Sequence, residues 1–266
     1  MKNYLGIVLL MMTFMGCKQK ETAPEKVQPT PEVEIKEDKS FPEDIAKVFE
    51  AHGGLDHWKT MQSVEFTMRK PGGDEVTRTN LNSRESLIEA ENYVIGFDGE
   101  AVWFLNRTEE EYKGYAPKFY YNLMFYFYAM PFVLADDGIV FSAAKAIEFE
   151  GVTYPGIKIA YENGVGESPD DEYVLYYHPE TFKMEWLGYT VTYFSKEKTK
   201  EFHLKKYNKW EEVEGVLLPT EMVNYEFFNN QPINPVRTTA IFNAKLSKEA
   251  LDVTRFSKPE NATFVE

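Results

Sequence analysis

From Val64 the chain alternates, with Val64, Phe66 and Met68 apolar and Glu65, Thr67 and Arg69 polar, the period-two pattern of a half-buried strand. Similar runs recur at about 84–97, 101–106, 145–162, 172–178, 183–195, 200–210, 216–228 and 237–246. Turn signals separate them: PGGD at 71, DG at 98, YPG at 154, HPET at 178 and EG at 214. About ten or more consecutive strands predict an antiparallel meander, and hence an α+β, mainly β fold. Two runs, AVWFL at 101 and YVLYY at 173, are apolar on both faces, so both sides of the sheet require cover.

Two segments depart from the strand period. In the first, Ser40 followed by Glu43 reads as a capping box, Ile45, Val48 and Phe49 share a helical face, and HGG at 52–54 supplies a glycine terminus. The second, KFYYNLMFYFYAMPFVLADDG at 118–138, sets eight aromatic rings into the fourteen positions from Phe119 to Phe132. As one helix ending at Pro131 it carries two apolar stripes: Phe119, Leu123, Tyr126 and Met130, then Tyr120, Met124, Phe127 and Pro131. A helix over 118–129 is about 18 Å long, against roughly 30 Å of bilayer hydrocarbon, so it does not span. The sheet covers one stripe; the other needs the first helix, a bound apolar molecule or a bilayer surface. Four tyrosine hydroxyls ask for partners, which a cavity with a wet edge would offer.

The start of the chain carries a different message. Lys2, an apolar run from Tyr4 to Met15, and Gly16 before Cys17 have the layout of a secretory signal over 1–16. Cys17 is the single cysteine, which excludes an intramolecular disulfide, and its place after the apolar run resembles a bacterial lipobox. The expectation is a lipidated Cys17, whose acyl chains contribute about 0.8 kcal/mol per buried methylene to anchoring. Residues 17–40, rich in Pro, Glu and Lys and without an aromatic, read as a tether, and 41–266 as one domain. The net charge of −14 becomes −15 once Lys2 leaves with the signal, which excludes a nucleic-acid partner.

Catalytic motifs are few. HGGLDHWK brings His52, Asp56 and His57 together, but the two histidines are five apart across two glycines, not four apart on one helix face. His178 and His203 read as structural, and the acidic runs NRTEEEY at 106 and SPDDEY at 168 as solvated loops. The reading is of a non-enzymatic chain without cofactor or metal.

The lone cysteine and tether, HGGLDHW, SVEFTM, the FDGEAVWF hairpin, FYFYAMPFVLADDG and the closing RFSKP together resemble an uncharacterised family of envelope lipoproteins, distantly similar to the lipoprotein-localisation carriers LolA and LolB. The resemblance covers roughly 41–258. It implies a large curved antiparallel sheet, an incomplete barrel, wrapped around an N-terminal helix and a central aromatic helix, with an apolar cavity. For the carriers' gating arginine, Arg69, Arg78 and Arg84 stand on early strands. The expected cavity wall is Phe66, Trp103, Phe119, Phe127 and Phe132, with Tyr120 and Tyr126 at the rim and Met124 and Met130 as adaptable lining. The functional expectation is a monomeric, lipid-anchored envelope protein, at the outer membrane, that binds a lipid or acyl chain. The alternative is a filled scaffold whose Tyr189, Tyr193 and Trp210 contact another envelope protein or a glycan.

Overall fold

Thirteen strands form one antiparallel sheet in the computed structural model, which describes residues 40–161, 171–195 and 197–265. The signal-like segment 1–16, Cys17 and the tether as far as Lys39 lie outside the described residues. Residues Ser40–Glu266 make one unit. In chain order the strands are β1 (Ser63–Lys70), β2 (Gly73–Asn80), β3 (Ser86–Glu89), β4 (Tyr93–Phe97), β5 (Val102–Asn106), β6 (Ile139–Phe149), β7 (Val152–Tyr161), β8 (Tyr173–Tyr177), β9 (Met184–Tyr189), β10 (His203–Val213), β11 (Val216–Phe228), β12 (Gln231–Ser247) and β13 (Thr263–Phe264).

The order across the sheet is β13-β5-β4-β3-β2-β1-β12-β11-β10-β9-β8-β7-β6. Two meanders, β1–β5 and β6–β12, are therefore joined at a single seam where β1 pairs with β12, from Ser63 opposite Ser247 to Met68 opposite Ile241. β6 and β13 lie at the two ends of this order, so the barrel stays open.

Among the described residues four short helices pack against one face of the sheet: α1 (Glu43–Ala51), α2 (Leu55–Trp58), α3 (Pro117–Tyr120) and α4 (Leu123–Tyr128), followed by a 3-10 turn over Phe132–Ala135. The main core joins Ile45, Val48 and Phe49 of α1 to side chains from both meanders. Phe132 stacks on Trp58 with ring centroids 4.7 Å apart, and Phe66 stacks on Tyr128 at 3.8 Å. Truncating a buried ring of this kind costs about 3–5 kcal/mol. A second cluster, Ile147, Tyr154, Val174, Tyr176, Trp186 and Leu204, covers the opposite face of β6–β10. YVLYY is apolar on both faces because it separates these two cores.

Two local expectations change, and one strand carries no apolar alternation. α1 begins at Glu43 with Pro42 as its N-cap and no side-chain cap, so Ser40 and Glu43 form no capping box; Gly53 and Gly54, at φ 110° and 88°, do end the helix. The aromatic segment is two helices broken at Tyr121 and Asn122, not one. β2 has no apolar alternation because its inward residues are Glu75, Thr77 and Thr79, all fully buried.

Candidate functional site

Pro117 starts α3 at a position where a missing amide costs nothing, and the break at Tyr121–Asn122 turns the chain into α4. α4 is tied to the sheet by the Tyr207 hydroxyl, which donates to the Phe127 carbonyl at 2.7 Å. The helix pair leaves a cavity on either side. One, of about 420 Å³, has Phe119, Tyr120, Met124, Phe127, Tyr173 and Tyr189 in its wall; the other, of about 590 Å³, has Phe97, Tyr121, Tyr126, Tyr161 and Tyr193. Both share Phe119, Leu123, Asp171 and Tyr173, so these side chains partition a cleft between α3–α4 and the sheet.

The floor of the first cavity is a row across three strands. Lys205 on β10 pairs in register with Asn224 on β11, and Asn224 with Arg237 on β12. Along β10 the side chains alternate: His203, Lys205 and Tyr207 face the helices, whereas Leu204 and Lys206 face the outer cluster. Lys205 is 4% exposed. Its Nζ donates to Asn224 Oδ1 at 2.6 Å and lies 4.8 Å from the centre of the Phe127 ring. Burial, then the positive charges of Arg237 and Lys70, push the Lys205 ammonium down to about 7.

At the other end of the cavity a polar network fixes α3. Glu75, fully buried, accepts from the hydroxyls of Tyr93 and Tyr120, the latter at 2.7 Å. Lys70 donates to the Tyr120 hydroxyl and lies 3.7 Å from Glu75. Burial lowers the Lys70 ammonium against the opposing pull of Glu75, and burial together with the Glu75 charge raises the Tyr120 and Tyr93 phenols. Asp171 is held by the Thr192 amide, which donates to its carboxylate at 2.6 Å.

The second cavity is lined by Lys118, the shared Asp171 and Arg84, the last at φ 65° in the turn between β2 and β3. The Arg84 Nη2 donates to both carboxylate oxygens of Asp136, at 2.7 and 2.9 Å, and its guanidinium lies 5.0 Å from the Phe125 ring. Of the other two early arginines, Arg78 is paired with Glu65 and Glu89, and Arg69 with Asp74.

Five of the nine expected wall residues meet at the cleft: Phe119, Tyr120, Met124 and Phe127 at the first cavity, and Tyr126, with Phe119 again, at the second. The other four are elsewhere. Phe66, Met130 and Phe132 are buried in the main core, Phe66 stacked on Tyr128 and Phe132 on Trp58. Trp103 lies on the opposite face with Val94 and Ala262, its ring over Gly96 where a Cβ would collide with it, and its Nε1 donates to the Phe256 carbonyl at 2.7 Å. The residues of the scaffold alternative are half-buried: Tyr189 and Tyr193 line the cavities, and Trp210 stacks on Tyr207.

His52 and His57 do not converge. His52 Nδ1 donates to the Val48 carbonyl at 2.8 Å, and His57 Nε2 to the Glu214 carbonyl at 2.6 Å. Burial pushes the His52 imidazole down to about 4. Among the described residues no three His, Cys, Asp or Glu side chains are grouped to hold a metal ion, and no helix is long and apolar enough to cross a membrane. The row Lys205–Asn224–Arg237 was absent from the sequence reading. The signal available was the pair Lys205-Lys206 between Leu204 and Tyr207: on a strand covered on both faces, adjacent lysines place one on each buried side.

The family of unknown function DUF6503 matches residues 111–251, more than half of the chain, and the chain belongs to it. The FYFYAMPFVLADDG segment lies within that span. No curated protein matches. Among solved structures, the chain is similar to a LolA superfamily protein, NE2245, from Nitrosomonas europaea, at 9% identity over 77% of this chain and 96% of that one, with a TM-score of 0.45. A DUF1329 family protein from Desulfovibrio piger is similar at 12% identity over 76% and 92%, TM-score 0.45. The lipoprotein LppX from Mycobacterium tuberculosis is similar at 10% identity over 55% and 85%, TM-score 0.23.

Proposed function

We propose that this member of the DUF6503 family is a lipid-anchored protein of the bacterial cell envelope, tethered at the outer membrane through Cys17, that holds the apolar chain of a lipid in the cleft beside α3 and α4. The supporting observation is the first cavity. Its volume of about 420 Å³ falls within the roughly 300–1,000 Å³ of ligand sites, and its wall is aromatic with Met124 as adaptable lining. A void here favours a bound ligand over a filled scaffold. On this reading the role is binding, and His52 and His57 are each engaged by a backbone carbonyl, those of Val48 and Glu214.

The test uses the full chain purified from envelope membranes in mild detergent. Native mass spectrometry is expected to show a co-purifying lipid, and a fluorescent dodecyl probe added after delipidation should be displaced by 1-dodecanol, which offers a tail and no charge. A clean protein mass together with no probe binding overturns the reading.

A further inference from the structure

The charge around the first cavity runs against that of the chain. The protein carries −14 overall, yet the cavity is lined by Arg69, Lys70, Lys205 and Arg237 against one carboxylate, Asp171. Two of these cations are already answered: Arg69 by Asp74 at 3.2 Å and Lys70 by Glu75 at 3.7 Å. Lys205 and Arg237 have no carboxylate partner among the described residues. What Lys205 has is the neutral amide of Asn224 and the face of Phe127.

A buried ammonium is costly unless an opposite charge compensates it. Here the neighbouring charges that act on Lys205 are both positive, Arg237 and Lys70. The Lys205–Asn224–Arg237 row is fixed by strand register and borders directly on the aromatic wall. An apolar slot ending in a pre-placed, uncompensated cationic pair has the shape of an amphiphile with an anionic head.

Resting on the lipid-holding reading above, we infer that the cavity selects lipids with an anionic head, a carboxylate or phosphate, seated between Lys205 and Arg237 while the tail lies along Phe119, Met124 and Phe127. Lys205 and Asn224 meet the head at the buried end, and Arg237, exposed on β12, meets it from the solvent side.

Competition against the dodecyl probe separates head from tail, using delipidated full-length protein. Laurate and dodecyl phosphate are expected to compete about tenfold or more better than 1-dodecanol. Inorganic phosphate alone, at the same concentrations, should not compete, which distinguishes a lipid head from a free anion. Lys205→Met and Arg237→Gln should each bring the two acids towards the dodecanol value and leave dodecanol unchanged. Lys206→Met, which removes a charge over Trp186 on the opposite face, should change none of them. Equal competition by acid and alcohol in the unaltered protein, or acid preference retained in both Lys205→Met and Arg237→Gln, overturns the head-group assignment and leaves tail binding standing. Strong competition by inorganic phosphate overturns it in favour of a free-anion site. Failure of every dodecyl compound to compete overturns the lipid reading itself, and the head-group assignment with it.

Discussion

The two cavities beside α3 and α4 share a partition and differ in how they treat a cation. In the second, Arg84 is neutralised by Asp136 through two contacts below 3.0 Å, and the other charged side chains of the wall, Lys118 and the shared Asp171, are of opposite sign. In the first, Lys205 and Arg237 are held on paired strands beside a neutral amide. Aromatic lining is common to both and therefore does not distinguish them. The difference lies in one carboxylate, present beside one cation and absent beside the other.

The largest effect should come from removing the uncompensated charge. Lys205→Met is expected to stabilise the protein at neutral pH by an amount on the order of 4 kcal/mol, seen as a raised Tm, while acid-headed ligands lose affinity. The sign follows from the ammonium's folded value of about 7, below its ordinary value of 10.5. Between those two the unfolded chain binds the proton more tightly, so native stability rises with pH across that window. The penalty is complete below about 7, and the advantage of Lys205→Met should shrink as pH approaches 10.5. A stability gain independent of pH would mean the buried charge is not its source.

A smaller effect is expected from making the second cavity resemble the first. Asp136→Asn removes the charge that answers Arg84, at a cost of about 1 kcal/mol for a partly exposed pair. Native mass spectrometry should then show a second dodecyl phosphate bound per chain. Unchanged stoichiometry would show that charge alone does not make the second cavity competent.

The smallest effect concerns the partition. Phe119 lines both cavities, and Phe119→Ala should join them, with a stability cost of about 1 kcal/mol or less at this half-buried site. Competition should shift towards longer acyl chains, several-fold for a hexadecyl over a dodecyl acid. An unaltered chain-length preference would place the tail away from Phe119.

What could be read from the chain follows what the core demands of each element. β1, β8 and β11 carry apolar alternation or continuous apolar runs because their inward side chains meet the helices, and these were legible. β2 was not, because its inward positions are Glu75, Thr77 and Thr79, and Glu75 serves the hydroxyls of Tyr93 and Tyr120 instead of a hydrophobic neighbour. The single aromatic helix was overdrawn because helical stripes do not reveal a break at Tyr121–Asn122. For the site, the ring-rich wall was half visible: composition pointed to the segment, but which rings face a void and which face each other depends on packing. Phe132 and Phe119 look alike in sequence; Trp58 occupies the face of one, and the other borders open space. The cationic row escaped because lysine and arginine on strands read as solvent-facing until both faces of the sheet are known to be covered.

The seam between β1 and β12 has a kinetic consequence. Ser63 and Ser247 must find each other across nearly the whole length of the domain, and closing so long a loop precedes any reward from the contacts it allows. Lys70 belongs to β1 and Arg237 to β12, so the first cavity is completed by the most sequence-distant pairing in the sheet, while Lys205 on β10 reaches Arg237 through the neighbouring β11. A chain delivered N-terminus first has all of α1 to β11 in hand before the cleft can exist. The cleft is then completed as a single late event, when the seventeen-residue β12 docks, rather than growing with the length of chain that has emerged.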